Sequence, residues 1–545
     1  FARFIPLPML QAALILSLLP IATSTALELR SSDTSGADGS MALPFVGQTP
    51  VQFIPRGGVT PSRFWWYNVG PWKFGGNYYA FAVNVTCIDS YDPVPVEAQV
   101  TCAIPNMYRS TDNGATWEIQ DKQFDTDRPY WNTHTWPNVY FRDHVPAPDY
   151  ANNRIWLVSK IRVSRSWNDY SYYLQIGYFD IATNEWVQDD CIDLGPECAF
   201  NDRLEYDANS FFWDIPTIPV VRSDGSVVIF FCGDRNASGW TTLYYVVYNP
   251  ATRGWGTPVL VKDDATAHTY PIQATVTSDD RIHLFCAQSQ TTGRGNQKTS
   301  TVCHVAVNAN GAMGTFQVID SDGVGLYPIP AFGRLAEGSD TAQDGIAFTY
   351  RSLEKEEDSE FIWKHKLVYA DDALTPTFAS DDIPFPYTVT EECSYRWATN
   401  YYHVYGGADF TAWRDGESIY VIAGTYLDSG SPDFDPVFAT IWALKRDSEG
   451  SWSQAKIYET DPDVDWNWLY GGPSVQIYSG GSMGMLFWAL NSNSDNNYSN
   501  EYTAPGAYGI SERLYFILSP VTVSGWAYFG AGMGATNTGN YSFLV

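Results

Sequence analysis

Seven times along the chain, a short apolar strand is followed by a second strand and then by a polar turn that ends in a large aromatic residue. The apolar strands begin near Tyr78, Arg154, Ser226, Arg281, Gly345, Ser418 and Ser482, several of them just after a DG-type turn. The turn-ending aromatics are Trp117, Trp186, Trp255, Phe316, Phe378, Trp452 and Trp526, spaced roughly 60 to 75 residues apart. That interval holds four strands and their turns, as in the blade of a β-propeller. No long amphipathic helical pattern interrupts the series. The aromatic content of 16% is high and suits strands. The expectation is therefore an all-β chain forming a single seven-bladed β-propeller. Six or eight blades are the variants, because the fifth and seventh units are the most degenerate. A pair of β-sandwiches also presents many short strands, but the sevenfold recurrence favours radial repetition, which leaves few open edges.

Composition narrows the function classes. Hydrophobic residues make up 45% and charged residues 17% of the 545, enough apolar content for a large core and too much for a disordered chain. The net charge of −29 repels phosphate backbones and gives no steering toward anionic membranes, so neither nucleic acid nor a membrane surface is an expected partner. An anionic substrate needs a local basic pocket.

At the N-terminus, Arg3 precedes an apolar run from Ile5 to Ile21, with Ser24 and Ala26 placed for cleavage. Residues 1–26 read as a signal peptide, 27–45 as a flexible leader and 46–545 as the propeller. A first residue other than Met suggests that a few residues precede Phe1. The expected location is secreted and extracellular, with no membrane association after cleavage. Eight cysteines fit an oxidising compartment. Cys87 with Cys102, Cys191 with Cys198, and Cys286 with Cys303 are near enough to pair locally. Cys232 and Cys393 remain for a long-range bridge or as buried thiols. Asn84, Asn236, Asn497 and Asn540 head glycosylation sequons.

One turn carries a family resemblance. Ser110-Thr111-Asp112-Asn113-Gly114-Ala115-Thr116-Trp117 resembles the Asp-box (BNR repeat), S-x-D-x-G-x-T-W, of sialidase-like propellers, and Asp447 to Trp452 is a degraded copy. The resemblance implies fold, because in those families the motif is structural and lies away from the active site. It also implies a carbohydrate partner, since most such propellers are sialidases, other glycosidases, polysaccharide lyases or lectins. Phe53-Ile54-Pro55-Arg56 places its arginine after Ile-Pro, whereas the sialidase arginine precedes it. A sialic-acid arginine triad is not expected.

The segments leading into the innermost strands should converge on one face of a propeller. They hold Trp131 and His134, Trp213 and Asp214, His268 and Tyr270, Tyr327, Arg396 with Tyr402 and His403, and Trp466 with Trp468. Trp131, Trp213, Tyr327, Trp466 and Trp468 are candidates to stack on sugar rings, and Arg396 to neutralise a uronate carboxylate. His134, His268 and His403 titrate near neutrality and are candidates for proton transfer, with Tyr270 or Tyr402 as acid. This set suits β-elimination from an acidic polysaccharide. Glycoside hydrolysis needs two carboxylates instead, for which Asp214 is the placed candidate, with Glu205, Asp207, Glu391, Glu392 and Asp465 nearby in sequence. A non-catalytic lectin or adhesion propeller is the alternative reading. The sequence points to no definite cofactor; structural calcium at Asp371-Asp372 or Asp381-Asp382 is the candidate, without a spaced loop motif, and the metal content is unknown. Arg142-Asp143-His144 reads as a surface turn at the far end of the first strand of blade 2, and His283, His304 and His365 as packed or edge-strand residues.

Overall fold

Successive side chains of a strand point to opposite faces, so a strand lying between two sheets serves both at once. In the computed structural model, the strand Asn77–Val85 turns Tyr78 and Ala80 toward Tyr478, Leu486 and Phe516 near the C-terminus. It turns Tyr79 and Phe81 toward Ile155, Leu157 and Phe179 of the next repeat. The strand Val227–Arg235 does the same: Val227, Ile229 and Phe231 pack on Ala147, Trp156 and Leu174. Its Val228 and Phe230 pack on Ala274, Ile282 and Leu284. Burial on both faces is why these strands read as unbroken apolar runs rather than alternating ones.

The structure describes residues 43–52, 64–85, 103–120, 139–166, 169–187, 203–206, 217–235, 241–277, 279–289, 300–321, 330–334, 345–355, 361–384, 408–415, 418–426, 439–459, 466–468, 474–478, 482–492 and 510–519. All regular structure among them is strand.

The strands form seven antiparallel blades. Blade 1 runs Phe64–Phe74, Asn77–Val85, Ala103–Ser110, Glu118–Ile119. Blade 2 runs Val139–Asp149, Arg154–Ser166, Asp169–Asp180, with Glu185–Val187 and Arg203–Tyr206 both outermost. Blade 3 runs Ile218–Val221, Val227–Arg235, Thr241–Asn249, with Gly254–Trp255 and Val259–Lys262 outermost. Blade 4 runs His268–Val276, Ile282–Ser289, Ser300–Val307, Gln317–Asp320. Blade 5 runs Pro330–Arg334, Ile346–Lys355, Phe361–Ala370, Ala379–Asp382. Blade 6 runs Ala408–Asp415, Ser418–Tyr426, Ala439–Arg446, Trp452–Glu459. Blade 7 has Trp466–Trp468 and Ser474–Ile477 as its first strand in two pieces, then Met483–Ser492 and Ile510–Leu518.

The first strands of blades 1 through 6 touch in order, and that of blade 7 touches blade 1. The first strands of blades 5 and 6 even pair in parallel, Phe332 with Thr411 and Arg334 with Trp413. The expected seven blades are thus arranged as a ring. Its closure was not visible in the repeat: the outermost strand of blade 7 is Val51–Gln52, from the other end of the chain, paired with Phe516 and Tyr515. Leu43, Phe45 and Val46 pack into the apolar layer between blades 6 and 7. The Tyr478 hydroxyl of blade 7 donates to the Pro71 carbonyl of blade 1 at 2.7 Å. The expected signal peptide lies outside the described residues, as does all but the end of the leader.

The recurring polar turn joins the third and fourth strands and has one physical device. An Asx side chain accepts backbone amides ahead of it, replacing hydrogen bonds that the sheet no longer offers. Asp180 Oδ1 accepts from the amide of Ala182, Asn249 Oδ1 from that of Ala251, Asn310 Oδ1 from that of Ala312 and Asp372 Oδ1 from that of Leu374. Asp447 Oδ1 accepts from the Glu449 and Ser451 amides. The turn at 110–117 is the most complete. Asp112 accepts the Thr116 amide at 2.8 Å, Ser110 Oγ accepts the Gly114 amide at 2.8 Å, and the Trp117 indole donates to the Gly114 carbonyl at 3.1 Å. Trp117 is fully buried against Phe516 of blade 7.

The turn between the first two strands of blade 2 is built around Asp149, which is 2% exposed. Its carboxylate accepts from Arg154 Nε at 2.9 Å, from the Asn152 amide at 3.1 Å and from the Trp156 indole at 3.3 Å. Asp149→Ala leaves a part-buried guanidinium and a buried indole without their carboxylate partner and should cost about 3 kcal/mol. A urea midpoint matching the parent protein contradicts this account of the turn.

Candidate functional site

A meander blade sends its first strand from one end to the other and its second strand back. The first-to-second and third-to-fourth turns therefore share one end of the ring, and the starts of the first strands share the opposite end. The parallel pairing of the first strands of blades 5 and 6 shows directly that they run the same way. The Asx turns, including 110–117, thus lie at the end away from the inner-strand starts.

Two of the six sequence-derived lead-in segments fall on described strand starts. His268 is the first residue of the inner strand of blade 4, across from Ser289, and Tyr270 pairs with Ala287. Trp466 and Trp468 lie in the first piece of the inner strand of blade 7, across from Ser492 and Leu490. His134, His403, Tyr402, Asp214, Trp131, Trp213, Tyr327 and Arg396 lie outside the described residues. So do Asp207, Glu391, Glu392 and Asp465. Glu205 is placed, but on an outermost strand of blade 2, opposite Tyr173, rather than at an inner-strand start.

His268 is 2% exposed and so is set into the wall rather than projecting from it. The backbone that carries it is held by a polar chain. Gln288 Nε2 donates to Thr269 Oγ1 at 3.3 Å and to Asp264 Oδ2 at 3.1 Å. Cys232 of blade 3 donates to the Thr269 carbonyl at 3.6 Å. Asp264 also accepts the Thr266 amide at 2.8 Å and lies 3.8 Å from Lys262 Nζ. Burial pushes its carboxyl up, but the hydrogen bonds from Thr266 and Gln288 and the Lys262 charge outweigh that and hold it below its ordinary value.

The inner strands carry a feature that sequence reading missed. Blade 4 has a bulge between Pro271 and Gln273, and blade 2 has one between Arg142 and His144. The first strand of blade 1 is irregular between Trp65 and Trp72. Arg142-Asp143-His144, read from sequence as a surface turn, is instead within the inner strand Val139–Asp149, with Asp143 the extra residue. A bulge re-aims neighbouring side chains and recurs beside functional sites. Pro271 inside an apolar strand was the available signal, since proline lacks a ladder donor.

Cys232, Cys286 and Cys303 are buried thiols, and Cys286 stands across from Cys303. The pair suggested by their spacing is adjacent but unbonded in the structure. Burial raises the Cys286 thiol well above its ordinary value, which disfavours the thiolate. The remaining cysteines lie outside the described residues. Asp372 is engaged by its own turn and Asp381 by Arg446. Among the described residues no group of three or more histidine, cysteine or acidic side chains is placed to hold a metal.

No known family description matches the sequence, and no curated protein matches it either. Solved structures do. An ulvan lyase of polysaccharide lyase family PL25 is 11% identical with a TM-score of 0.43, covering 87% of this chain and 94% of its own. The α-L-arabinofuranosidase Arb93A of Fusarium graminearum is 12% identical with a TM-score of 0.37, covering 72% and 97%. The Hadza microbial sialidase Hz136 is 10% identical with a TM-score of 0.31, covering 76% and 61%. At this identity and TM-score, none of the three assigns an activity to the chain.

Proposed function

We propose that this chain is a secreted, carbohydrate-active propeller of the sialidase-like Asp-box type. In this reading it is an enzyme that cleaves an extracellular polysaccharide or glycoconjugate where the inner strands begin. The observation that carries the reading is the placing of His268 with Tyr270, and of Trp466 with Trp468, at inner-strand starts on the same end of one ring. Aromatic faces stack on sugar rings, a tyrosine hydroxyl can exchange a proton with a sugar oxygen, and the buried His268 holds the strand start in place. The other lead-in segments add residues of the same kinds.

For an acidic polysaccharide the chemistry is β-elimination. Arg396 neutralises the uronate carboxylate, which makes the adjacent C–H acidic. His134 or His403 takes that proton. The electron pair forms the new C=C bond as the glycosidic C–O bond breaks, and Tyr270 or Tyr402 gives a proton to the departing oxygen. His268, buried in the wall, holds the strand start that carries Tyr270. On this reading, His134→Ala or His403→Ala lowers turnover about 10²–10⁴-fold, as loss of a general base does. Full turnover in the variants of all three histidines sinks the assignment. In that event the carboxylate route at Asp214 becomes the one to test.

A further inference from the structure

The layer between blades 4 and 5 contains two histidines that the proposed chemistry does not use. In blade 4, Ile282, Leu284 and Cys286 face blade 3, while the alternate positions face blade 5. His283 and His304 occupy two of these alternate positions on adjacent strands. They are 0% and 2% exposed. His283 Nδ1 and His304 Nε2 are 2.9 Å apart, sharing one hydrogen, and the rings stack at 5.2 Å. Around them the layer is aromatic: His304 lies 4.8 Å from the ring of Phe378, and Phe285 stacks on Phe348 of blade 5 at 4.1 Å.

We propose that the His283–His304 pair is an acid-sensitive latch that seals the contact between blades 4 and 5 while neutral and releases it on taking up a proton. The neutral pair needs only one shared proton. A second one places an imidazolium in an apolar layer where, among the described residues, no carboxylate stands against it. The charged groups around the layer oppose that charge or are already committed. From blade 4, Arg281 stands beside His283, pairs with Asp279 at 3.5 Å and donates to the Leu374 carbonyl of blade 5 at 2.9 Å. From blade 5, Asp372 caps its own turn, and Lys366 pairs with Asp320 of blade 4 at 3.6 Å. Gln317 is the polar neighbour of His304. Burial lowers both imidazoles, that of His304 to about 3, and for His283 the charges of His304 and Arg281 add to the effect.

The sign follows from linkage. The unfolded or released histidines take up protons near 6.5, whereas the sealed pair does not. The latch is therefore fully closed above that value and weakens as the pH falls toward 3. With two histidines involved, the opening equilibrium rises up to roughly 100-fold per pH unit.

Amide hydrogen exchange on the intact chain from pH 7 to 4, corrected for intrinsic rates, tests this. Strands Ile282–Ser289, Ser300–Val307 and Ile346–Lys355 should lose protection before Val227–Arg235 and Asn77–Val85, which lie in other layers. The double variant H283N/H304F should abolish that pH-dependent difference. Uniform loss of protection across all blades in the parent protein overturns the proposal, and that measurement stands even if the double variant does not fold. A folded double variant that keeps the same selective loss overturns it too.

Discussion

Gly114→Ala should destabilise the protein by about 2–5 kcal/mol, far more than an exposed alanine normally does. Two effects act together. The residue has a φ of +86°, a backbone region that L side chains rarely adopt. A Cβ there would also lie 1.9 Å from a ring carbon of Phe516, against which Trp117 packs at 5.5 Å. The clash therefore acts on the seam between blades 1 and 7. Gly75 separates the two effects, because it has a φ of +59° with nothing within 4 Å of a Cβ. Gly75→Ala should cost only about 1 kcal/mol, the backbone contribution alone. Equal denaturation midpoints for the two variants contradict the packing of the seam.

Phe45→Ala should cost about 3–5 kcal/mol. Phe45 is fully buried between blades 6 and 7, and its amide donates to Ser519 Oγ at 3.3 Å across 474 residues of sequence. The N-terminal strand that follows completes blade 7. A ring closed by its two chain ends loses that closure when the anchor is truncated, so the effect should appear as a lowered cooperative transition of the whole propeller. Val51→Ala, at a 39% exposed position on the closing strand, is the control and should change the midpoint little. If Phe45→Ala behaves like the control, the N-terminal segment does not close the ring.

The repeat was legible because its physics is local. An Asx side chain, a turn and a following aromatic lie within a few residues, and the structure places Trp117, Trp186, Phe316, Phe378 and Trp452 in or against the apolar layers between blades. The blade count followed from that spacing. Closure was not legible, because pairing Val51 with Phe516 joins opposite ends of the chain and Val51–Gln52 is too short to announce itself as a strand. The bulge at Asp143 was misread as a turn, since a polar triplet inside a strand has the composition of a loop. In the candidate site, His268 lies at an inner-strand start and is 2% exposed, and the bonds from Gln288 and Cys232 that hold the next residue, Thr269, come from two other strands that sequence spacing does not reveal. His283 and His304 read as packed residues, and they are; their 2.9 Å contact depends on cross-strand register, which period-two alternation does not specify.

The most direct measurement is mass spectrometry of the products after the protein is incubated with a panel of acidic and neutral polysaccharides. The proposed elimination predicts fragments from a uronate-containing polymer that carry an unsaturated end and no added water. Fragments with one added water would replace elimination by hydrolysis and move the chemistry to Asp214. A complete absence of cleavage across the panel would contradict the enzyme reading and leave a propeller that binds glycan without reacting with it.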